Sequence, residues 1–309
     1  MSGSKDPERQ GDGMPAKRIS QALPTHISVS QLRTYLTCGE KYRIQRLEGA
    51  PDMPGWAGIA GNAIHEAAEV INREFFESGS CKIRTDDIFQ LRFEALIAEK
   101  ERYSGFTQDQ FTAYGRATKE WPDKQNRAYW EVSGPEHVAR YLAWITARYA
   151  EGWTVKGLPD GSPAVEAKFD VWVGVGEDRA ILRGSIDLIL DTPDGIALMT
   201  DVKSGSRKED NLRQLGFYRV AAQRAWGIDT PVGTFVMTKN GEHTSPEMLD
   251  AYTPELVDDV ASKFLRARKH DIYLANPGQA CTWCSVTPYC AETGGHLANT
   301  LQITTKESA

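Results

Sequence analysis

Two apolar runs that each contain an aspartate decide the fold: LRGSIDLIL at residues 182–190 and LMTDVK at residues 198–203. Short apolar runs of this kind are typical of buried strands. The turn-forming sequence TPDG lies between them at residues 192–195, and so short a connection predicts an antiparallel pair. In that pairing Asp187 lies opposite or near Asp201.

Patterns on both sides of these runs predict a mixed architecture. Residues 164–175 form a strand-like run before the first aspartate, and residues 232–238 form a further strand. Helices are predicted at 30–46, 62–77, 86–103, 107–131, 135–151, 208–226 and 254–274, with a loop at 49–61. This order of helices, three strands, helix, strand and helix predicts a mixed α/β (α+β) fold whose sheet contains an antiparallel meander.

The composition limits the class of protein. With 309 residues and a net charge of −6, the chain can bury a sizeable core, and its acidic balance argues against a passive nucleic-acid coat. No apolar run reaches the roughly 18 residues of a membrane span. Residues 1–26 lack a signal-peptide pattern and are expected to form a disordered tail. We therefore expect a cytoplasmic protein with reduced thiols, a single domain at residues 27–290 and a flexible tail at 291–309.

Four of the five cysteines are grouped near the two ends of the chain. Cys38 lies near the N-terminus, and Cys281, Cys284 and Cys290 follow one another closely near the C-terminus. Thiolates grouped in this way point to an iron–sulfur cluster or a zinc site. Because Cys38 and Cys281 are 243 residues apart (281 − 38), one shared metal centre requires a fold that brings both ends together. Cys81 stands alone and is assigned no role.

The acids of the two strands suggest a second metal site. Asp201 and Lys203 are two residues apart and therefore point to the same face of a strand. Two carboxylates about 4 Å apart repel each other by roughly 4 kcal/mol at an effective dielectric constant near 20, so Asp187 and Asp201 need a shared cation or a proton. A cation, a lysine and paired carboxylates suit phosphodiester hydrolysis. The alternative is that these are ordinary residues at turns or in salt bridges.

Two further features lie outside the strands. Gln214 and Tyr218 are four residues apart and share one face of a helix, where they can contact a catalytic group and a nucleotide; the alternative is a partly buried polar face. His65 follows a glycine that opens a helix, and a neutral imidazole suits a cation already held by two carboxylates. The alternative for His65 is a structural role.

Taken in order, these motifs resemble a known family. The chain is similar to the RecB-like branch of the PD-(D/E)xK nuclease superfamily, and within it to the iron–sulfur exonucleases of the fourth CRISPR-associated protein family and their phage-borne relatives. The residues that carry the resemblance are Ser28-Val29-Ser30-Gln31-Leu32 with Tyr35 and Cys38, Gly61-Asn62-Ala63-Ile64-His65, Gly184-Ser185-Ile186-Asp187, Asp201-Val202-Lys203-Ser204-Gly205, Gln214 with Tyr218, and Cys281, Cys284 and Cys290.

The resemblance implies a fold and a reaction. The fold would have a restriction-endonuclease-like core, with a helical region at about 62–160, a catalytic sheet at about 163–240, and a closing helix and cysteine-rich tail at about 253–290. The reaction would be Mg²⁺- or Mn²⁺-dependent exonucleolytic hydrolysis of single-stranded DNA or DNA ends, in recombination, repair, or phage or CRISPR DNA processing. DNA would be the partner, and the sequence names no protein partner and leaves a homo-oligomer open.

The resemblance also implies a role for each site residue. His65, Asp187, Asp201 and the Val202 backbone carbonyl would hold the catalytic cation. Lys203 would position the attacking water and stabilise charge, while Gln214 and Tyr218 would complete the site from the following helix. Glu166 would be a supporting acid. The four grouped cysteines would hold a [4Fe–4S] cluster, with zinc as the alternative.

Two positions depart from the family pattern. Gly39 stands where proline is frequent, and Ser185 stands where an arginine commonly precedes the Ile-Asp pair. The complete set of His, two Asp and Lys favours a nuclease over a non-catalytic DNA-binding iron–sulfur module or a zinc-stapled structural protein. In the helical region, the expected role of Trp121, Trp130, Trp144 and Trp153 is to fill the core; the alternative is that they line a single-strand channel.

Overall fold

The computed structural model describes residues 26–205, 212–298 and 300. The predicted tail at residues 1–26 lies almost entirely outside these ranges, as do residues 301–309 and the first residues of the helix predicted at 208–226. The helices are α1 (Val29–Thr37), α2 (Gly39–Tyr42), α3 (Trp56–Ser78), α4 (Thr85–Ser104), α5 (Arg127–Ala150), α6 (Arg213–Trp226) and α7 (Pro254–Lys269). The strands are β1 (His26–Ile27), β2 (Thr154–Val155), β3 (Val165–Val175), β4 (Asp178–Asp191), β5 (Ala197–Lys203), β6 (Val232–Met237), β7 (Glu242–His243) and β8 (Glu247–Met248).

The strands of the described residues form one mixed sheet, which confirms the predicted fold class. Strand β4 pairs in antiparallel fashion with β3 and with β5, so the predicted meander is correct. Strand β6 then pairs with β5 in parallel, after the crossover through α6. Leu188 is aligned with Thr200, and this register places Asp187 beside Asp201, as the short turn predicts.

Helices cover both faces of the sheet. One face carries α6 and α7, which pack on apolar residues of the outer β3–β4 hairpin such as Phe169 and Leu182. The other face carries α3, α4 and α5, which pack on Val165, Leu188 and Val202. No helix among the described residues is long and apolar enough to cross a membrane.

Strands β3 and β4 change their buried face at the same level. In β4, Ile186 belongs to the core under α6 and α7, whereas Leu188 belongs to the core under α3 to α5. In β3, Phe169 belongs to the core under α6 and α7, and Val165 belongs to the core under α3 to α5. Residues an even number of positions apart share a face in a regular strand, so the strands are locally distorted between these positions. Asp187 lies at this change of face.

Several helix boundaries differ from the sequence-based predictions. Helix α3 begins at Trp56, inside the segment predicted as a loop, because Trp56 and Ile59 join the apolar stripe that is buried against α4 and α5. The segment predicted as helical at 107–131 contains a single 3₁₀ turn at Gln108–Gln110 before α5 begins at Arg127.

A proline inside α5 explains why its start was misplaced. Pro135 was predicted to open the helix, but it lies within α5. Proline lacks the N–H that would bond the carbonyl four residues earlier, which is that of Glu131. The Gln90 side chain donates a hydrogen bond to this carbonyl at 3.0 Å. Trp130 and Trp144 of the same helix are buried, in line with the expected core role.

Candidate active site

Asp187 is held at the junction of β4 and β5. Its Oδ2 accepts a hydrogen bond from the backbone N–H of Val202 at 2.9 Å. Asp187 therefore bonds directly to the strand that carries Asp201 and Lys203. The predicted proximity of the two strands' acids is present in the structure.

His65 reaches the same point from α3. Its Nδ1 lies 3.3 Å from Asp187 Oδ2 and 3.9 Å from Glu166 Oε1, and the imidazole also forms a hydrogen bond with the backbone of Val202. One turn earlier, Gly61 faces Ser204, where an added Cβ would come within 3.1 Å of the hydroxyl. The small residue at 61 thus lets the helix approach the end of β5 closely.

Glu166 lies nearer the centre of this site than its predicted supporting role suggests. Its backbone has φ +44°, a conformation that non-glycine residues rarely adopt and that costs about 1–3 kcal/mol. The Ser185 hydroxyl donates a hydrogen bond to Glu166 Oε2 at 2.8 Å. Ser185 is one of the two residues that depart from the family pattern, and here it orients the Glu166 carboxylate.

His65, Glu166 and Asp187 form a group that fits a divalent cation. One ligand atom from each lies within 4.8 Å of the others, and this is the group of that kind found among the described residues. Imidazole nitrogen and carboxylate oxygen suit Mn²⁺, and the two carboxylates suit Mg²⁺. Asp201 lies outside this tight group because its carboxylate contacts other side chains.

Asp201 and Lys203 form a network with α6. Lys203 Nζ lies 2.6 Å from Asp201 Oδ2, and the Asp201 side chain is only 2% exposed. Gln214 Nε2 donates to Asp201 Oδ1 at 2.7 Å and to the Tyr218 hydroxyl at 3.3 Å, while Gln214 Oε1 accepts from Lys203 Nζ at 3.2 Å. The structure thus brings together the four residues that the sequence placed on one strand and one helix face.

The electrostatic environment opposes charge on the acids of this site. Burial, with the carboxylates of Asp201 and Glu166, raises the pKa of Asp187 well above its usual range. Burial likewise raises the pKa of Glu166. Burial lowers the pKa of His65. The 30% of its side chain that stays exposed faces a pocket. A neutral imidazole beside acids that resist ionisation is the environment that a bound cation would relieve.

A pocket of about 1050 Å³ gives access to the group. Its walls come from the start of α1, α3, α4, the loop before β3, the β3–β4 hairpin and α6. Acidic and basic side chains share the lining, with Glu69 and Glu99 on the helical side and Lys168 and Arg183 on the hairpin side. The cation group therefore lies where the helical layer meets the hairpin, in contact with solvent.

The N-terminal region at α1 and α2 contacts the segment that follows α7. Tyr35 donates a hydrogen bond to the Ile272 carbonyl at 2.9 Å, and Gly39 N–H donates to the Leu274 carbonyl at 2.9 Å. A Cβ at position 39 would lie 2.8 Å from the Leu274 nitrogen. Gly39, at a position where proline is frequent in the family, thus provides an N–H donor and lets the backbone of Leu274 approach closely.

The cysteines lie at this junction of the ends. Cys38 Sγ accepts hydrogen bonds from the backbone N–H groups of Lys41 and Asn276, each at 3.4 Å. Cys284 and Cys290 pack against a small core that contains Ile44 from the N-terminal region. Among the described residues, no three cysteine sulfurs lie within 4.8 Å of one another. A single zinc ion with bonds of about 2.3 Å would require thiolates this close together.

Comparison with known proteins agrees with this geometry. A family model for the PD-(D/E)XK nuclease superfamily matches residues 26–291. The chain belongs to the PD-(D/E)XK nuclease superfamily. The Gene 69 protein of Mycobacterium phage D29 is 26% identical over 288 residues, and that of Mycobacterium phage L5 is 24% identical over 301 residues. Each match covers 85% of this chain and 95% of the relative.

Membership in this superfamily indicates a nuclease that uses divalent metal ions. Sequence reasoning assigned Glu166 a supporting role and named Ser185 only as a departure from the pattern; in the structure Glu166 lies 3.9 Å from His65 Nδ1 and accepts a hydrogen bond from Ser185. Their cross-strand relation could be found in principle, because β3 and β4 are joined by a tight turn that fixes their register. The positive φ of Glu166 has no counterpart in the sequence.

The raised pKa of Asp187 predicts a change of stability in its amide variant. In metal-free protein at neutral pH, Asp187→Asn should raise Tm by about 2 °C or more, roughly the shift that 1 kcal/mol produces in a large domain. The amide removes a disfavoured charge and keeps an acceptor for the Val202 N–H. Because the folded pKa lies above the unfolded one, protonation stabilises the wild type at low pH, and this gain is lost as pH rises through the folded pKa. Differential scanning calorimetry in EDTA across pH 5–8 measures the difference.

The gain in Tm should shrink toward acidic pH, where the wild-type Asp187 is itself neutral. Saturating Mn²⁺ should stabilise the wild type much more than the variant, because binding to the folded state adds to its stability. Asp194→Asn in the exposed β4–β5 turn is the matched control and should change Tm little. An Asp187→Asn variant less stable than the wild type in EDTA would contradict this electrostatic assignment.

Proposed function

We propose that this protein is a metal-dependent DNA exonuclease that hydrolyses phosphodiester bonds of single-stranded DNA or of DNA ends. The observation that carries the proposal is that two groups of side chains lie next to each other. His65, Glu166 and Asp187 form a cation-binding group, and the Asp201–Lys203 pair lies beside it on the neighbouring strand. The superfamily supports a nuclease.

The donor set fits Mg²⁺ or Mn²⁺. His65, Glu166 and Asp187 would hold the cation, with Asp201 and the Val202 carbonyl as the further ligands expected from the family pattern. A cation bound there supplies Lewis-acid polarisation of the phosphodiester and activation of water. The strained backbone at Glu166 supports a catalytic role, since strain of this kind is retained where function requires it.

Lys203 is placed to act on the phosphate. Its ammonium group lies against Asp201 and Gln214, so its position is fixed before substrate binds. We propose that it orients the attacking water and stabilises the negative charge that develops on the phosphoryl oxygens. Gln214 bridges Asp201 and Lys203 and thereby holds their relative positions.

Tyr218 forms the wall of the site on the α6 side. Burial, with the nearby acids Asp201 and Asp187, raises its pKa, so the phenol stays protonated. Its hydroxyl remains bonded to Gln214. We propose that it contacts the substrate nucleotide as a neutral group.

We further propose that the four grouped cysteines hold a [4Fe–4S] cluster, and that the chain belongs to the RecB-like, iron–sulfur branch of the superfamily. The support is the junction of the chain ends, together with N–H groups that donate to the Cys38 sulfur. A four-iron cluster separates its thiolates more widely than one zinc ion does. Residues 27–290 would then act as one domain, fastened by the cluster.

The proposed setting is the cytoplasm of a bacterial cell, in recombination, repair, or phage or CRISPR DNA processing. The phage origin of the relatives supports it. The cluster would act on stability in this setting, because its ligands lie at the junction of the chain ends and the proposed chemistry lies at His65, Asp187, Asp201 and Lys203.

Substitution of the strand residues tests the nuclease proposal. Asp201→Asn and Lys203→Met should each reduce the rate of degradation of end-labelled linear DNA with Mn²⁺ by about 10²-fold or more, the scale for loss of one transition-state stabilising group. Lys263→Met, an exposed lysine on α7, is the matched control and should keep full activity. Circular dichroism should show unchanged folding. Full activity in both site variants would refute the catalytic assignment.

Metal analysis tests the cluster. Protein purified without oxygen should be brown and contain iron and acid-labile sulfide. Cys284→Ser should lose the iron and lower Tm by several degrees, because a cluster links distant chain segments and so stabilises the fold. Cys81→Ser, outside the group, should keep both the iron and the Tm. A colourless protein that contains zinc alone would contradict the iron–sulfur proposal.

A further inference from the structure

The outer β3–β4 hairpin presents an exposed face that leads away from the candidate active site. Helices α6 and α7 cover one side of this hairpin. On the other side, α3 to α5 pack only as far as the level of Val165 and Leu188. Beyond this level, the same side carries the exposed residues Lys168, Asp170 and Trp172. The exposed face is therefore continuous with the pocket.

Trp172 is the prominent feature of this face. It is 57% exposed, which is unusual for a large aromatic side chain on a strand whose other face is buried. The guanidinium of Arg179 lies 4.9 Å from the centre of its ring. From the far side of the sheet, Arg224 donates a hydrogen bond to the Trp172 carbonyl at 2.7 Å. An arginine therefore stacks on the indole, and a second arginine anchors its backbone.

The charges on this face favour a polyanion. On the outward face of the two strands, the exposed charged residues among those described are three basic ones, Lys168, Arg179 and Arg183, and one acidic one, Asp170. Asp170 is bound by Arg183 through two contacts of 2.8 and 2.6 Å, so its charge is offset locally. Lys168 and Arg183 also line the active-site pocket. Positive charge thus extends from the pocket along the hairpin, although the whole chain is acidic.

The register gives the distance from the cation group to the indole. Trp172 is aligned with Ile181, which is six residues from Asp187 (187 − 181) on β4. At a rise of 3.3–3.4 Å per residue, the separation is about 20 Å. A stacked strand rises about 3.4 Å per nucleotide along its axis, so about six nucleotides span this distance, and fewer do so when the strand is extended.

We propose that the outer face of the β3–β4 hairpin, defined by Lys168, Trp172, Arg179 and Arg183, is a binding track for single-stranded DNA. The proposal rests on the nuclease function proposed above and extends its substrate contacts. A base stacks on Trp172 while the basic residues contact phosphates, and the strand continues from there to the cation group. Stacking on an exposed indole requires an unpaired base, so the track selects single strands over duplex.

The test is equilibrium binding in EDTA, where hydrolysis does not interfere. Fluorescence anisotropy of labelled oligothymidylates of 3 and 12 nucleotides is measured with full-length protein. Trp172→Leu should weaken 12-mer binding about fivefold or more, since base–aromatic stacking is worth on the order of 1–3 kcal/mol. Trp172→Phe should retain most of the affinity. The wild type should bind the 3-mer more weakly than the 12-mer, because the shorter strand makes fewer of the track's contacts at once.

Arginine variants test the electrostatic part of the track. Arg179→Ala should reduce the slope of log affinity against log salt by about 0.7, the value for one phosphate contact on a single strand. Arg84→Ala, which removes an exposed arginine next to the start of α4, is the matched control and should leave the slope unchanged.

The outcomes separate the track from the catalytic proposal. Loss of 12-mer affinity in Trp172→Leu supports the track, whether or not the wild type hydrolyses DNA. Absence of hydrolysis by the wild type with any metal would refute the nuclease proposal but not the track. Equal 12-mer affinity in Trp172→Leu and wild type overturns the track, even if the wild type degrades DNA. A wild type that binds duplex as tightly as the 12-mer, or that binds no single strand, also overturns it.

Discussion

The repulsion among enclosed carboxylates is the constraint on which the rest of the structure depends. Asp187 and Glu166 line one pocket and Asp201 is buried beside Asp187 on the next strand, and burial with mutual repulsion raises the pKa of the first two. At 4 Å each pair of charges costs roughly 4 kcal/mol at an effective dielectric constant near 20. A fold maintains such a group only if a cation or a proton compensates it. Lys203 and Gln214 satisfy Asp201, and the group formed by His65, Glu166 and Asp187 remains as a place for a divalent ion.

The architecture creates this group by changing the buried face of a hairpin. At the level of Ala164 and Ile189 both faces of the hairpin are covered by helices, and beyond Glu166 and Asp187 only the face under α6 and α7 is covered. At this level, Glu166 and Asp187 face the pocket at the edge of the helical layer, and His65 of α3 lies beside them. The same change leaves the outer face of the hairpin uncovered, so the catalytic pocket and the exposed face around Trp172 have one structural cause.

Much of this arrangement could be predicted from the sequence. The TPDG turn fixes the β4–β5 register and thereby the proximity of Asp187 and Asp201, and helical spacing places Gln214 and Tyr218 together. The chemistry of imidazole suggested His65 as a ligand, and the family resemblance placed it in the site, because nothing in its local sequence specifies which strand its helix contacts. The backbone strain at Glu166 belongs to a distortion that strict alternation does not anticipate, whereas alternation along β3 does place Trp172 on the polar face with Lys168 and Asp170. The start of α3 was misplaced since glycines and prolines outweighed the buried Trp56.

The contact between the α1–α2 region and the segment after α7 is a second feature of the fold, separate from the acids. Hydrogen bonds from Tyr35 and Gly39 to the C-terminal segment bring Cys38 toward the other three grouped cysteines. The central claim, however, concerns the acids. Crystals soaked in Mn²⁺ and measured by anomalous scattering test it most directly. The account predicts a manganese peak bound by His65, Glu166 and Asp187, and its loss in Asp187→Asn. Manganese bound elsewhere, with none beside these three residues, would contradict it.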